Sequence, residues 1–199
     1  MATLRPSSAG MRRLFIAVLI PHDLRHRLAQ EQSQLKRHLP DHALRWVAPE
    51  NFHITLLFLG EQPEERLQSI RSAVERACQL ASPFSVQVQG LGVFPNWNRP
   101  QVLWAGVEQG AEPLQRIAHH LEQSLLAKPS GKRFHAHLTL ARIKAHGPSD
   151  LAKRIFQQVE PKRGLVFGTY EVAHLSLMQS ELTPNGSRYA ELERFALNP

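Results

Sequence analysis

Histidine and threonine recur two residues apart at two places in the chain, in His53-Ile54-Thr55-Leu56 and His137-Leu138-Thr139-Leu140. Imidazole ionises near pH ~6.5, so it gives or takes a proton at neutral pH. Two imidazoles aimed at one point can divide a displacement between them. One removes a proton from the nucleophile, and the other supplies a proton to the leaving oxygen. A phosphodiester suits that division, because its hydrolysis needs both transfers and a means of holding charge on the phosphoryl oxygens. Threonine hydroxyls beside the imidazoles are fixed donors for those oxygens. His53 and His137 are therefore candidate proton-transfer groups, and Thr55 and Thr139 candidate phosphate-binding groups. Such chemistry requires no metal and no other cofactor.

A single His-x-Thr-Leu carries little weight, since a lone strand histidine is more often packed or solvated than catalytic. Its second occurrence on an equivalent element is what favours function. Arg142 follows the second copy and could clamp a phosphate bidentately. Strict alternation sets Arg142 on the face opposite His137, so it reaches the site only if the strand twists, bulges or ends before it. Phe15 and Phe58 could stack a nucleobase. Packing in a core is the commoner role for both, and alternation sets Phe58 on the apolar face with Ile54 and Leu56. A metal alternative is also open: His135 and His137 have a zinc-like spacing, with His53 as a third ligand. No Asp, Glu or Cys lies close in sequence to complete it, and His135 reads better as a neighbour shaping the second motif. The other histidines have no patterned partner.

The elements that must carry these residues alternate in type. In a strand, residues i and i+2 share a face, so His53 and Thr55 project together, as do His137 and Thr139. Strands are expected at Leu14 to Leu19, at the His53 motif ending at Gly60, and at Phe84 to Val88. Helical spacing runs over Pro21 to Leu39 and Glu64 to Leu80. The order then repeats with a strand Val102 to Val107, a helix Glu112 to Leu126, and the His137 strand. A shorter helix with Ser149 as N-cap and a strand Tyr170 to Met178 follow, and Arg188 to Leu197 forms one strand more. The two motif histidines are 84 positions apart, and Phe84 and Phe167 are 83 apart. This predicts an internal duplication into halves of about 11–95 and 100–199, joined by a linker Gly90 to Pro100. The expected fold is α+β and bilobal. Two antiparallel-rich sheets face a central cleft, with helices on their outer faces.

Composition narrows the class. The 199 residues suffice for one bilobal domain. Residues 1–10 lack periodicity and are expected to form a disordered leader. No apolar run approaches the ~20 residues that span a bilayer. The one cysteine, Cys78, cannot form an internal disulfide and reads as a small buried hydrophobe, consistent with a cytoplasmic location. A formal net charge of +7 favours an anionic partner, RNA or a nucleotide first. The cations are dispersed, which suits a folded groove better than a basic tail.

Together these residues resemble the 2H phosphoesterase superfamily, and within it the RNA 2′,3′-cyclic phosphodiesterases, also called 2′-5′ RNA ligases. The resemblance takes in Arg13 to Ala17, Arg45-Trp46-Val47, Pro49 to Leu56, Phe58 to Glu61 and Gly90 to Pro95. It continues through Arg99-Pro100, Val102 to Val107, Phe134, His137 to Arg142, and Leu182-Thr183-Pro184 with Gly186, Arg188 and Tyr189. Leu19-Ile20-Pro21 departs from the family's usual Asp-Leu-Pro. The resemblance implies hydrolysis of an RNA-terminal 2′,3′-cyclic phosphate to a 2′-phosphate. His53 would be proton donor and His137 proton acceptor, with Thr55, Thr139 and Arg142 on the phosphate. It implies that no metal is used. No cofactor, no membrane and no obligate protein partner are expected, and the chain is expected to be a monomer. The reverse reaction would join RNA ends through a 2′-5′ bond. Open alternatives are action on 2′-5′ oligonucleotides or an ADP-ribose cyclic phosphate, and a module that only binds RNA ends.

Overall fold

The computed structural model describes residues 10–128, 134–145, 147–183 and 186–198. Most of the expected leader, and His146, lie outside the described residues. The chain opens with strand β1 (Met11–Leu19), helix α1 (His22–His38) and a short strand β2 (Leu44–Trp46). Next come β3 (His53–Pro63), α2 (Leu67–Cys78), β4 (Phe84–Phe94) and β5 (Val102–Val107). The rest is α3 (Ala111–Leu125), β6 (His137–Ile143), α4 (Leu151–Val159), β7 (Val166–Val172), β8 (His174–Thr183) and β9 (Gly186–Ala196). No helix among the described residues is long and apolar enough to cross a membrane.

The helices form where apolar residues recur at three and four. In α2 the buried stripe is Ile70, Ala73, Val74, Ala77 and Cys78, and in α3 it is Leu114, Ile117, Ala118, Leu121 and Leu125. Pro113 falls in the first turn of α3, where its missing N–H costs no helical bond. Asp150, not Ser149, occupies the N-cap of α4, and its side chain makes no capping bond. The Leu151 N–H is taken instead by the Pro148 carbonyl at 3.0 Å.

The fold is α+β with one curled, antiparallel nine-stranded sheet in the order β7-β4-β5-β6-β3-β1-β8-β9, and β2 added on β6. The two sheets expected from the sequence are its two wings. They meet at a single pairing, Ile54 opposite Leu138, between the residues of the two motifs. Helices α2 and α3 pack on the β3, β8 and β9 wing, and α1 packs against β7. Each wing draws strands from both ends of the chain.

Two expected elements differ. The strand expected at Tyr170 to Met178 is two strands parted at Ala173, because β7 pairs with β4 in one wing and β8 with β1 and β9 in the other. No Gly or Pro marks that crossing. The expected linker from Gly90 belongs to β4 as far as Phe94. A register shift between Val88 and Leu91 interrupts the alternation there, with Gly90 at φ +79°. A Cβ on Gly90 would collide with the Arg163 carbonyl oxygen, so the break requires glycine.

Candidate active site

His53 and Thr55 leave β3 on the concave face of the curl, and His137 and Thr139 leave β6 beside them. All four line one pocket of about 110 Å³ together with Arg142, Asn51, Phe15, Phe58, Val47 and Tyr189. The residues between them, Ile54 and Leu138, are fully buried behind the sheet. The single pairing of those two residues holds the motifs side by side, because residues flanking a paired position on neighbouring strands project together.

Arg142 reaches the pocket because β6 bulges. Thr139 pairs with Trp104 and Ala141 with Leu103, which leaves Leu140 without an opposite residue. Leu140 and Ala141 both point into the core, and the alternation resumes one residue out of phase. Arg142 therefore emerges on the His137 face. The same irregularity occurs in β3, where Ala17 pairs with Thr55 and Ile16 with Leu57, skipping Leu56. Phe58 is accordingly 49% exposed and lines the pocket; it is not on the apolar face with Ile54 and Leu56. In both motifs the leucine of His-x-Thr-Leu is the extra residue.

A buried side chain from α1 spans the second bulge. Gln32 is 1% exposed, and its Nε2 donates to the Val47 carbonyl at 2.7 Å and the Leu140 carbonyl at 3.0 Å. The Val47 N–H donates to the same Leu140 oxygen at 2.9 Å. The bulge carbonyl thus accepts two hydrogen bonds, one from the backbone that follows β2 and one from the Gln32 side chain.

The imidazoles are oriented alike. His53 Nδ1 lies 2.7 Å from the Asn51 carbonyl oxygen, and His137 Nδ1 lies 2.7 Å from that of His135. A carbonyl only accepts, so each Nδ1 carries a hydrogen and each Nε2 is the group offered to chemistry. His53 Nε2 also meets Thr55 Oγ1 at 2.9 Å. Burial pushes the His53 imidazole below its ordinary range. The Asn51 carbonyl opposes that, and positive charge on His137 adds to it. Burial likewise lowers His137, opposed by the His135 carbonyl and reinforced by charge on the His135 ring and Arg142.

Aromatic rings wall the two imidazoles. Phe15 lies 5.0 Å from the His53 ring, and Tyr189 meets it edge-on at 5.3 Å. Phe94 stands edge-on to His137 at 5.0 Å. Phe15 is 2% exposed and packs with Ala17 and Met178, so it backs the His53 ring. Phe58 carries the Arg13 guanidinium 4.8 Å from its ring centroid. His135 precedes β6 and packs against Trp104 and Phe94, its ring centroid 6.3 Å from that of His137. Among the described residues no group of three or more His, Cys, Asp or Glu is placed to hold a metal ion.

The contributions of Asn51, Tyr189, Phe94 and Gln32 are not visible in the pattern. Asn51 acts through its backbone, and its side chain donates to the Ser187 carbonyl at 2.9 Å, tying the His53 turn to the strand of Tyr189. Gln32 sits on a helix 108 residues from the carbonyl it serves. The one available signal is that a glutamine falls among the leucines of the buried stripe of α1.

The LigT-like phosphoesterase family model matches residues 18–104 and 106–189, each stretch holding one motif. A protein of Archaeoglobus fulgidus named RNA 2′,3′-cyclic phosphodiesterase is 37% identical over 188 residues, which cover 92% of this chain and 99% of its own. The crystal structure of TT0787 of Thermus thermophilus matches with a TM-score of 0.75 at 35% identity, covering 93% of this chain and 97% of that one. The structure of E. coli LigT complexed with 3′-AMP matches with a TM-score of 0.74 at 27% identity, covering 95% of this chain and 99% of the other. Matched through both motif-bearing stretches and over nearly the whole of its structure, the chain belongs to the LigT-like phosphoesterase family.

Proposed function

We propose that the pocket hydrolyses a 2′,3′-cyclic phosphate at an RNA end and leaves a 2′-phosphate. The observation that carries this reading is the convergence of two Nε2 atoms, two threonines and one arginine on a single pocket. The relatives bearing the name RNA 2′,3′-cyclic phosphodiesterase supply the substrate class. His137, on the more open side, takes a proton from water as the water oxygen attacks phosphorus. The bond from phosphorus to O3′ breaks, and His53 gives its proton to that oxygen. Arg142 and the two threonine hydroxyls hold the phosphoryl oxygens, where charge builds in the transition state. Phe58 offers an exposed ring to the base, and Phe15 braces His53 from behind. Both proton transfers pass through imidazoles, so the reaction needs no metal. A single chain carries the whole site, and a monomer is sufficient. With a 5′-hydroxyl in place of water, the reverse reaction forms a 2′-5′ bond.

Incubation with a 2′,3′-cyclic mononucleotide in EDTA tests this. The expected product is the 2′-nucleotide. Formation of the 3′-nucleotide, or no turnover, overturns the reading.

A further inference from the structure

The positive charge around Arg142 extends past the pocket. Arg45 in β2 stands directly opposite Arg142 in the antiparallel register, so both side chains leave the same face. Both residues are exposed. Like charges placed directly across a strand pair work against the pairing. On the other flank of β6, Val102 is opposite Arg142, and Arg99 lies just before the start of that strand. The turn holding Arg99 is anchored. Asn96 Oδ1 accepts from the backbone N–H groups of Asn98 and Arg99, each at 3.1 Å. Gln101 donates its N–H to the Phe94 carbonyl at 2.7 Å and accepts from the Ile143 N–H at 2.8 Å. A cleft of about 600 Å³ opens beside this turn, lined among others by Arg99, Gln101, Arg142 and Lys144; Arg45 is outside that lining and stands across Arg142 on the β2 side. It shares Arg142 with the catalytic pocket. Among the described residues no carboxylate pairs with Arg45, Arg99 or Arg142.

We propose that this cleft, together with Arg45 across Arg142 from it, forms a second phosphate subsite. It takes the backbone phosphate that precedes the cyclic end of an RNA strand, held by Arg45 and Arg99 on either side of Arg142. The proposal rests on the reading of the catalytic pocket given above. A cyclic mononucleotide has no phosphate to place there, whereas an oligonucleotide does. An anion between Arg45 and Arg142 relieves their mutual repulsion, and neither guanidinium must first leave a carboxylate. The subsite therefore makes the enzyme prefer an oligonucleotide end over a cyclic mononucleotide.

The test compares kcat/KM for a 2′,3′-cyclic mononucleotide and for a trinucleotide ending in a 2′,3′-cyclic phosphate, over a range of salt. The wild type is expected to favour the trinucleotide by about tenfold at low salt. That preference should fall as salt rises, with a log–log slope of about −0.7 for each phosphate contact. In R45A–R99A the ratio should drop to near one. A wild-type ratio of one, or a ratio that survives the double substitution, overturns the subsite. A general folding defect lowers both rates and leaves the ratio intact, so it counts against the proposal. Anisotropy of a labelled trinucleotide decides the same question by binding. If the wild type hydrolyses neither substrate yet R45A–R99A binds the trinucleotide about tenfold more weakly, the catalytic reading fails and the subsite stands.

Discussion

Phe58 and Arg142 hold equivalent places in the two halves of the site. Each lies five residues beyond its motif histidine, and each is turned into the pocket by an unpaired leucine two residues earlier. The duplicated strand geometry is thus filled with different chemistry. One half presents a ring to the pocket, and the other presents a cation.

Arg142 is expected to act through its fork of donors as well as its charge. R142A should lower kcat/KM by about 10²-fold, the order lost when one preorganised donor to a developing oxyanion is removed. R142K should recover only part of that loss, because a lysine cannot bind two oxygens in one plane. Steady-state kinetics on a cyclic nucleotide checks both.

Gln32 should matter through the bulge it spans. Q32M keeps the side-chain volume and removes both donors to Val47 and Leu140. It is expected to lower kcat/KM by about tenfold, since a displacement of ~1 Å at a positioning group costs up to 10²-fold. In an R142A background the same substitution should have almost no effect on rate. Equal losses in the two backgrounds would show that Gln32 serves only stability, which thermal unfolding would report separately.

The proposed acid and base roles can be separated by leaving group. H53A and H137A should each lose about 10³-fold on a cyclic nucleotide. A phosphodiester with a p-nitrophenolate leaving group needs no proton donor, so it should restore H53A while leaving H137A impaired. Restoration of H137A instead would reverse the assignment.

Both histidines sit below the ordinary imidazole value of ~6.5. The proposed mechanism needs one protonated and one neutral, so the bell in kcat/KM should centre between their two values in the free enzyme. Its maximum is therefore expected below pH 6.5. Stability follows the same sign. The unfolded chain binds these protons at a higher pH than the folded one, so their contribution is complete above pH ~6.5 and is lost as pH falls toward the folded values. H53N–H137N should flatten that decline in a denaturant titration run from pH 7 to pH 5.

Cys78 should be unreactive in the folded protein. It is 4% exposed, and burial, with the charge of Glu75, pushes its thiol up to about 11. Iodoacetamide at pH 8 should label it only as fast as the chain opens, a rate that mass spectrometry follows directly.

The sequence by itself determined the pairing of His53 with Thr55 and of His137 with Thr139, because period-two alternation is a local property of an extended chain. It also marked the helices α2 and α3, whose apolar stripes repeat at three and four. Tertiary structure decided what local alternation cannot. A bulge is defined by the strand opposite, so the emergence of Phe58 and Arg142 into the pocket depends on the registers of β1 and β5. The crossing at Ala173 likewise depends on which wing each strand joins, and no residue there breaks the extended pattern. Gln32 belongs to the site only because the packing of α1 brings its side chain within hydrogen-bond reach of the Leu140 carbonyl, 108 positions away in the chain. Chemistry that rests on neighbours in the chain was legible; chemistry that rests on neighbours across the sheet required the fold.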